Sequence, residues 1–264
     1  MSIGFFDSGI GGITVLYETL KMFPGEDFIY FADTLNAPYG IKTRDEVRDL
    51  VFQAVDFIVP LGVRAVVIAC NTATSVAIED LRLRYDIPII GMEPAVKPAV
   101  EKTNGTQKRV LVAATPLTLK EDKLKNLIDK VDNEHIVDLL PLPELVDFAE
   151  NFEFREEIVS PYLTGQLSSL DINSYGTIVL GCTHFLFYRN LFRKILPEHV
   201  DIIDGNKGTV NNLRRILEQD IEHGTKKSKV AWYCSGEQVQ DVRKLAEYEL
   251  LMFILESKEK SGEI

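Results

Sequence analysis

One short pattern occurs twice in this chain and restricts its fold more than any other feature. Residues 67–72 (Val-Ile-Ala-Cys-Asn-Thr) and 179–184 (Val-Leu-Gly-Cys-Thr-His) both run from apolar residues to a cysteine and a hydrogen-bonding pair. A further short apolar run begins at Ile89 after the first cysteine and at Ile202 after the second, at nearly equal spacing. Short apolar runs that alternate with helical stretches are typical of βαβ units. The repeat therefore predicts two similar α/β units, with chance similarity between βαβ segments as the alternative.

The length of the chain allows this arrangement. A chain of 264 residues can form one large α/β unit or two smaller domains. We predict an α/β fold of two pseudo-equivalent domains, each a mostly parallel sheet flanked by helices, with the active site in the cleft between them. The turn-rich residues 104–106 mark a crossing between the domains. The first domain then comprises residues 1–97 plus 208–264 and carries Cys70, and the second comprises residues 98–207 and carries Cys182.

Apolar periodicity and turn residues divide the chain into further elements. The predicted strands cover residues 3–6, 28–32, 66–68, 87–90, 109–114, 136–139, 177–180, 200–203 and 230–233. The predicted helices cover residues 14–22, 43–60, 72–84, 143–150, 158–170, 185–196, 209–222 and 239–255, and residues 256–264 are expected to fray.

Composition excludes several classes of function. The formal net charge of -11 is unfavourable for binding nucleic acid or an anionic membrane, because neutralising phosphates requires clustered Lys and Arg. The three cysteines lack CxxC spacing, so neither a zinc cluster nor a disulfide framework is indicated. The sequence shows no signal peptide and no apolar run long enough to cross a bilayer, so we expect a cytoplasmic protein with reduced thiols.

A glycine-rich turn follows the first predicted strand. Residues 7–12 read Asp-Ser-Gly-Ile-Gly-Gly, and Thr14 occupies the position where a dinucleotide-binding fingerprint requires glycine. The sequence therefore argues against a nicotinamide or flavin site. A simple tight turn explains the glycines, but it does not explain an acid and a hydroxyl, Asp7 and Ser8, at the tip of a strand.

Cys70 and Cys182 both follow predicted strands, where α/β sheets form ligand crevices. We expect an exposed Cys70 thiol whose pKa is lowered by the amino terminus of the following helix. A single cysteine is usually a buried residue of the hydrophobic core. Covalent Cys–His catalysis would use only one of the two thiols, and a zinc site would need more ligands than these residues supply. Proton transfer at the α-carbon of an amino acid from opposite faces uses both thiols. Asp7 beside Cys70, and His184 and Glu150 beside Cys182, are candidate helpers.

Five segments together carry a family resemblance. Residues 7–12, 32–40, 69–73, 93–95 and 181–184 resemble the cofactor-independent aspartate/glutamate racemase family, and within it the glutamate racemases. The resemblance implies no cofactor, no metal, and interconversion of L- and D-glutamate, with the D form entering bacterial peptidoglycan and so cell-wall biogenesis and cell shape. It also implies that Cys70 and Cys182 are the acid/base pair. The residues that it assigns to substrate binding are Asp7, Ser8, Tyr39, Gly40, Asn71, Thr72, Thr183 and His184.

Some positions depart from the family pattern or allow another interpretation. Family members usually have proline soon after the Thr-His pair, whereas Phe185 follows here, and Leu142 and Asp147 replace a common cysteine and proline. From composition alone, Tyr39 is better interpreted as a loop aromatic that covers the edge of the core. An aspartate racemase of the same superfamily and a non-catalytic amino-acid-binding protein are the alternative functions. Glutamate is the expected small-molecule partner, and a homodimer is retained as one oligomeric alternative.

Overall fold

The computed structural model describes residues 1–217 and 227–260, which form two β-sheets surrounded by helices. The strands are β1 Ser2–Asp7, β2 Asp27–Ala32, β3 Val63–Ile68, β4 Ile89–Gly91, β5 Arg109–Ala114, β6 Val137–Pro141, β7 Tyr175–Leu180, β8 Asp201–Asp204, β9 Lys229–Cys234 and β10 Glu237–Gln238. The α-helices are α1 Ile13–Met22, α2 Arg44–Ile58, α3 Asn71–Arg84, α4 Val96–Thr103, α5 Pro116–Lys120, α6 Asp122–Val131, α7 Glu144–Glu150, α8 Glu156–Leu167, α9 Arg189–Ile195, α10 Asn206–Leu217 and α11 Val242–Lys260.

Four strands of the first sheet have the same order as the four strands of the second. The six-stranded sheet has the order β10-β9-β2-β1-β3-β4, and the four-stranded sheet has the order β6-β5-β7-β8. Strands β1 to β4 and β5 to β8 therefore follow the same path, and all their pairings are parallel. Among the strands of the described residues, only β10 pairs antiparallel, with β9. The predicted α/β class with two pseudo-equivalent halves is confirmed, and the two cysteines follow equivalent strands, β3 and β7.

Apolar side chains on both faces of the first sheet explain its layers. Residues of β3 such as Val67 and Ile68 are buried, as is typical of parallel strands covered on both sides. Helices α1, α10 and α11 contribute to the core on one face, and α2 and α3 contribute to the core on the other. Helix α2 begins at a capping box, in which Thr43 accepts from the backbone N–H of Glu46 and the Glu46 carboxylate accepts from that of Thr43.

The two passages between the sheets run side by side. A Cβ atom at Gly205 would lie 2.5 Å from the Met92 sulfur and would also meet the backbone of Glu93, so only glycine fits this approach. Thr209 Oγ1 donates to the same Met92 sulfur at 3.2 Å. All strands of the first sheet lie within residues 2–91 and 229–238, and those of the second lie within residues 109–204. The domain limits at residues 97/98 and 207/208 stay a prediction.

The structure differs from the predicted elements at helix α4, which was not predicted, and after residue 182. A 3-10 helix, Thr183–Tyr188, precedes α9, so the predicted helix begins irregularly. Strand β10 was not predicted. The predicted fraying from residue 256 is wrong as far as Lys260, because Glu259 on α11 accepts from Tyr17 and Lys21 on α1. Residues 218–222 of the predicted helix 209–222, and the terminal residues 261–264, lie outside the described residues. Within residues 1–217 and 227–260, no helix has both the length and the apolar character needed to cross a bilayer.

Candidate active site

Cys70 lies directly after β3 and caps helix α3. Its sulfur accepts from the backbone N–H of Ala73 at 3.5 Å and lies 3.5 Å from Ser8 Oγ. The expectation of an exposed, acidified thiol is wrong, because Cys70 is only 5% exposed. Burial, reinforced by the negative charge of Asp7, raises the pKa of Cys70 to about 12, although its hydrogen bonds with Ser8 Oγ and the Ala73 N–H oppose the shift. Cys70 therefore rests as a neutral thiol.

Asp7 ends β1, the strand that pairs with β3, and so lies beside Cys70. It is fully buried, and its carboxylate accepts from the Gly9 backbone N–H at 3.0 Å and from Thr183 Oγ1 at 3.2 Å. Burial raises the pKa of Asp7 to about 6, although the charge of His184 opposes the shift. The bond from Thr183 joins the strand tip of the first sheet to the 3-10 helix that follows β7 of the second sheet.

Cys182, His184 and Glu150 form a hydrogen-bonded series on the opposite side. The sulfur of Cys182 lies 3.7 Å from His184 Nδ1, and His184 Nε2 lies 2.6 Å from Glu150 Oε1. Burial lowers the pKa of His184, but the hydrogen bonds to Cys182 and Glu150 outweigh it and raise this pKa well above its ordinary value. A protonated imidazole at this position places a positive charge beside Cys182, whereas Asp7 places a negative charge beside Cys70. The two thiols therefore have opposite electrostatic surroundings.

The glycine-rich turn, residues 7–12, contacts both Glu150 and His184. The backbone N–H of Ile10 donates to Glu150 Oε1 at 2.8 Å. A Cβ atom at Gly9 would collide with the Glu150 carboxylate, and one at Gly11 would lie 2.5 Å from His184 Nδ1. These glycines therefore permit a close approach of the second half rather than of a dinucleotide.

The Tyr39 ring belongs to the hydrophobic core, as composition alone suggested. It is 1% exposed and lies 6.1 Å from the Phe6 ring, measured between centroids. Its hydroxyl donates to Asp33 Oδ2 at 2.6 Å, and burial together with the Asp33 charge raises the pKa of Tyr39. The next residue, Gly40, approaches Thr115 so closely that a Cβ atom would overlap that side chain.

Three buried threonines from both halves bind one another. Thr72 Oγ1 lies 2.9 Å from Thr115 Oγ1 and 3.0 Å from Thr118 Oγ1. The neighbouring Asn71 is 6% exposed, and its Oδ1 has no hydrogen-bond partner among the described residues. A cavity of about 710 Å³ opens beside Asn71 and Thr118, and neither Cys70 nor Cys182 lines it. Both thiols are buried, with Cys70 5% and Cys182 6% exposed.

The chain is similar in sequence to known racemases. A sequence model described as Asp/Glu/Hydantoin racemase matches residues 18–213. The chain belongs to this racemase family. It is 55% identical over 250 residues to the glutamate racemase of Halothermothrix orenii, covering 94% of this chain and 97% of that protein. It is 50% identical over 261 residues to glutamate racemase 2 of Bacillus subtilis, covering 99% and 98%.

Solved structures of racemases share the fold. Escherichia coli glutamate racemase, in complex with L-glutamate and the activator UDP-MurNAc-ala, matches with a TM-score of 0.80 at 27% identity, covering 94% of this chain and 95% of that chain. Francisella tularensis glutamate racemase, in complex with D-glutamate, matches with a TM-score of 0.80 at 26% identity, covering 95% and 93%. The two-domain fold expected from the resemblance is thus confirmed.

The site residues predicted from the sequence fall into two groups, one around each cysteine of this racemase-family chain. Asp7, Ser8 and Cys70 gather on one side, Cys182, His184 and Glu150 on the other, and Thr183 connects the two sides. Within the described residues, no group of three or more His, Cys, Asp or Glu is arranged to hold a metal ion. The sequence analysis missed Asp33, Thr115 and Thr118. The internal repeat could have indicated Thr115, because it follows β5 as Ser8 follows the equivalent β1.

Proposed function

We propose that this protein interconverts L- and D-glutamate without a cofactor by passing the α-proton between Cys70 and Cys182. Relatives named glutamate racemase cover nearly the whole chain at about half identity. The observation that supports the two-thiol route best is structural. The two buried cysteines follow equivalent strands of two sheets, and the hydrogen bond between Thr183 and Asp7 connects their surroundings.

The charges around the two thiols differ, and the proposal assigns the first role of each thiol from them. His184, held protonated next to Glu150, places a positive charge beside Cys182, which removes the α-proton in one direction. Asp7 and burial keep Cys70 protonated, so that it returns a proton to the opposite face. The reverse direction requires the thiols to exchange roles, and Asp7, whose pKa is about 6, can take up the proton that Cys70 must lose.

The substrate binds, in this proposal, between the thiols. Backbone N–H groups near Asn71 and Thr183 stabilise the negative charge that develops when the α-proton leaves. Closure of the two halves excludes water, which strengthens these interactions. The proposed substrate-binding residues are Asp7, Ser8, Tyr39, Gly40, Asn71, Thr72, Thr183 and His184.

The proposed cellular role follows from the product. D-glutamate made in the cytoplasm supplies peptidoglycan synthesis. The proposed domains comprise residues 1–97 plus 208–264 and residues 98–207. The homodimer stays a prediction that size measurement in solution tests.

One assay tests the function. The metal-free protein is incubated with L-glutamate or L-aspartate in deuterated water, and optical rotation and α-deuterium incorporation are followed. We expect racemisation of glutamate without added pyridoxal phosphate. Turnover of aspartate alone would instead make the protein an aspartate racemase, and no exchange with either substrate would contradict both enzymes.

Cysteine variants test the two-thiol route in the same assay. Replacing Cys70 or Cys182 with Ser removes an acid/base group, and we expect kcat to fall by about 100- to 10,000-fold in both directions. The matched control is Cys234→Ser, because Cys234 is the third free cysteine and lies at the end of β9. Near-wild-type turnover by Cys182→Ser in both directions would contradict the mechanism.

A further inference from the structure

Ser235 adopts an unusual backbone conformation in the turn that follows β9. Its φ of 44° lies in the left-handed region, which costs a non-glycine residue free energy. Three hydrogen bonds hold it there. Its N–H donates to Ala32 O at 2.8 Å, its hydroxyl donates to Asp33 Oδ1 at 2.7 Å, and its Oγ accepts from the N–H of Leu35 at 3.1 Å. Strain that neighbouring contacts maintain so closely often occurs at functional positions.

The partner of this hydroxyl, Asp33, connects the turn to the candidate active site. Asp33 is only 4% exposed, and its second oxygen accepts from the Tyr39 hydroxyl at 2.6 Å. The Asn36 amide donates to both carboxylate oxygens, at 3.0 and 3.1 Å. The backbone N–H of Asp33 donates to the carbonyl of Asp7 at 3.0 Å. Ser235 and Tyr39 therefore hold opposite oxygens of one buried carboxylate next to the strand tip that carries Asp7.

We propose that Ser235 is a positioning residue for racemisation, acting through Asp33 on Tyr39 and Gly40. The inference rests on the proposed function, which places Tyr39 and Gly40 among the substrate-binding residues. Ser235 lies outside residues 18–213, which the family's sequence model matches. The turn between β9 and β10 thus contributes to the site although it carries no residue that touches the thiols.

Loss of the Ser235 hydroxyl should loosen Asp33 and, through it, Tyr39 and Gly40. Asp33 Oδ1 loses its donor from the turn, so the carboxylate is held on that side by Asn36 alone and can rotate. Tyr39 follows Asp33 Oδ2, and Gly40 then shifts against Thr115 of the other half. Because none of these groups is part of the acid/base pair, the effect is on substrate binding and appears in KM rather than in kcat.

Two substitutions separate positioning from folding. Ser235→Ala removes the hydroxyl and keeps the backbone strain, whereas Ser235→Gly removes the hydroxyl and relieves the strain. We expect both to raise KM for glutamate by about tenfold, the scale of a lost hydrogen bond to a charged group, with kcat changed less than about twofold. Ser235→Gly should nevertheless have the higher Tm of the two. Ser174→Ala is the matched control, because it removes an exposed serine hydroxyl that donates to Asp171 O at 2.7 Å.

A double variant tests the route through Tyr39. Tyr39→Phe removes the phenol that Asp33 holds, so adding Ser235→Gly to it should raise KM by less than about twofold further. A wild-type KM for Ser235→Gly, or full multiplication of the two single effects, would overturn the inference. The wild-type enzyme in the same assay tests the proposed function separately: an inactive wild type overturns that function and the inference with it, whereas an active wild type with a wild-type-like Ser235→Gly overturns the inference alone.

Discussion

Asp7 is placed where it costs the fold stability, and replacing it should show this directly. The carboxylate is fully buried beside Cys70, and near neutral pH it must remain ionised without full solvation. Asp7→Asn keeps the shape and the oxygen that accepts from Gly9, but it removes the charge. We expect this variant to be more stable than the wild type and far less active.

The magnitude follows from the pKa of Asp7, which burial raises from 3.8 to about 6 in the folded protein. Between these values the folded state binds more protons than the unfolded state, so the contribution of Asp7 to stability is complete below pH 3.8 and is lost as the pH rises through 6. A shift of about two units corresponds to about 3 kcal/mol. Asp7→Asn should therefore exceed the wild type in unfolding free energy by up to about 3 kcal/mol at pH ~7.5, and by about 1 kcal/mol near pH ~4.5.

Urea unfolding at the two pH values measures this difference, and the gain at pH ~7.5 corresponds to a rise in Tm of about 6–12 °C. Asp86→Asn, at an exposed aspartate, is the control and should change the unfolding free energy by less than about 0.5 kcal/mol. The activity of Asp7→Asn should fall by at least about tenfold. A variant that is less stable than the wild type at neutral pH, or a difference that does not change with pH, would refute the reasoning.

Two further predictions concern the contact between the glycine-rich turn and the second half. In Gly9→Ala the new Cβ displaces the Glu150 carboxylate from the Ile10 N–H, so we expect kcat to fall by about tenfold with Tm little changed. The control is Gly165→Ala, which should stay active because its Cβ meets no atom within 4 Å. An unchanged kcat in Gly9→Ala would contradict this prediction. In Glu150→Gln the pKa of His184 falls, because the charge and hydrogen bond of Glu150 raise it in the wild type. The alkaline limb of the plot of kcat against pH should therefore move to lower pH by about one unit. A limb that does not move would exclude Glu150 as the group that keeps His184 protonated.

The sequence is most informative about the positions of functional residues along the strands. The apolar runs before Cys70 and Cys182 identify two strand ends, and the parallel order that follows from βαβ units brings Asp7 beside Cys70. These placements depend on local periodicity and on general rules of topology. They could therefore be predicted from the residues alone.

The environment of the thiols could not be predicted in this way. Whether Cys70 is exposed depends on how the chain packs around it, and that packing is long-range: Gly9 and Gly11, for example, allow Glu150 and His184 to approach the glycine-rich turn. Burial, reinforced by the charge of Asp7, reverses the expected direction of the Cys70 pKa. Long-range pairs leave no local pattern either, since Asp33 and Ser235 are separated by 202 positions in the chain.

The register of the two sheets shows that a symmetric frame carries an asymmetric distribution of charge. Phe6 pairs with Ile68, two residues before Cys70, and Ala113 pairs with Leu180, two residues before Cys182. Asp7 therefore corresponds to Ala114, a methyl group, and the second carboxylate comes instead from Glu150 at the end of α7.

Two copies of one half would therefore not reproduce the charges of the site. A protein assembled from two copies of the first half would bury two aspartates around one anionic substrate, where each raises the pKa of the other. Because Asp7 has no acidic counterpart at the equivalent position of the second half, both halves are needed to supply the charges around the two thiols.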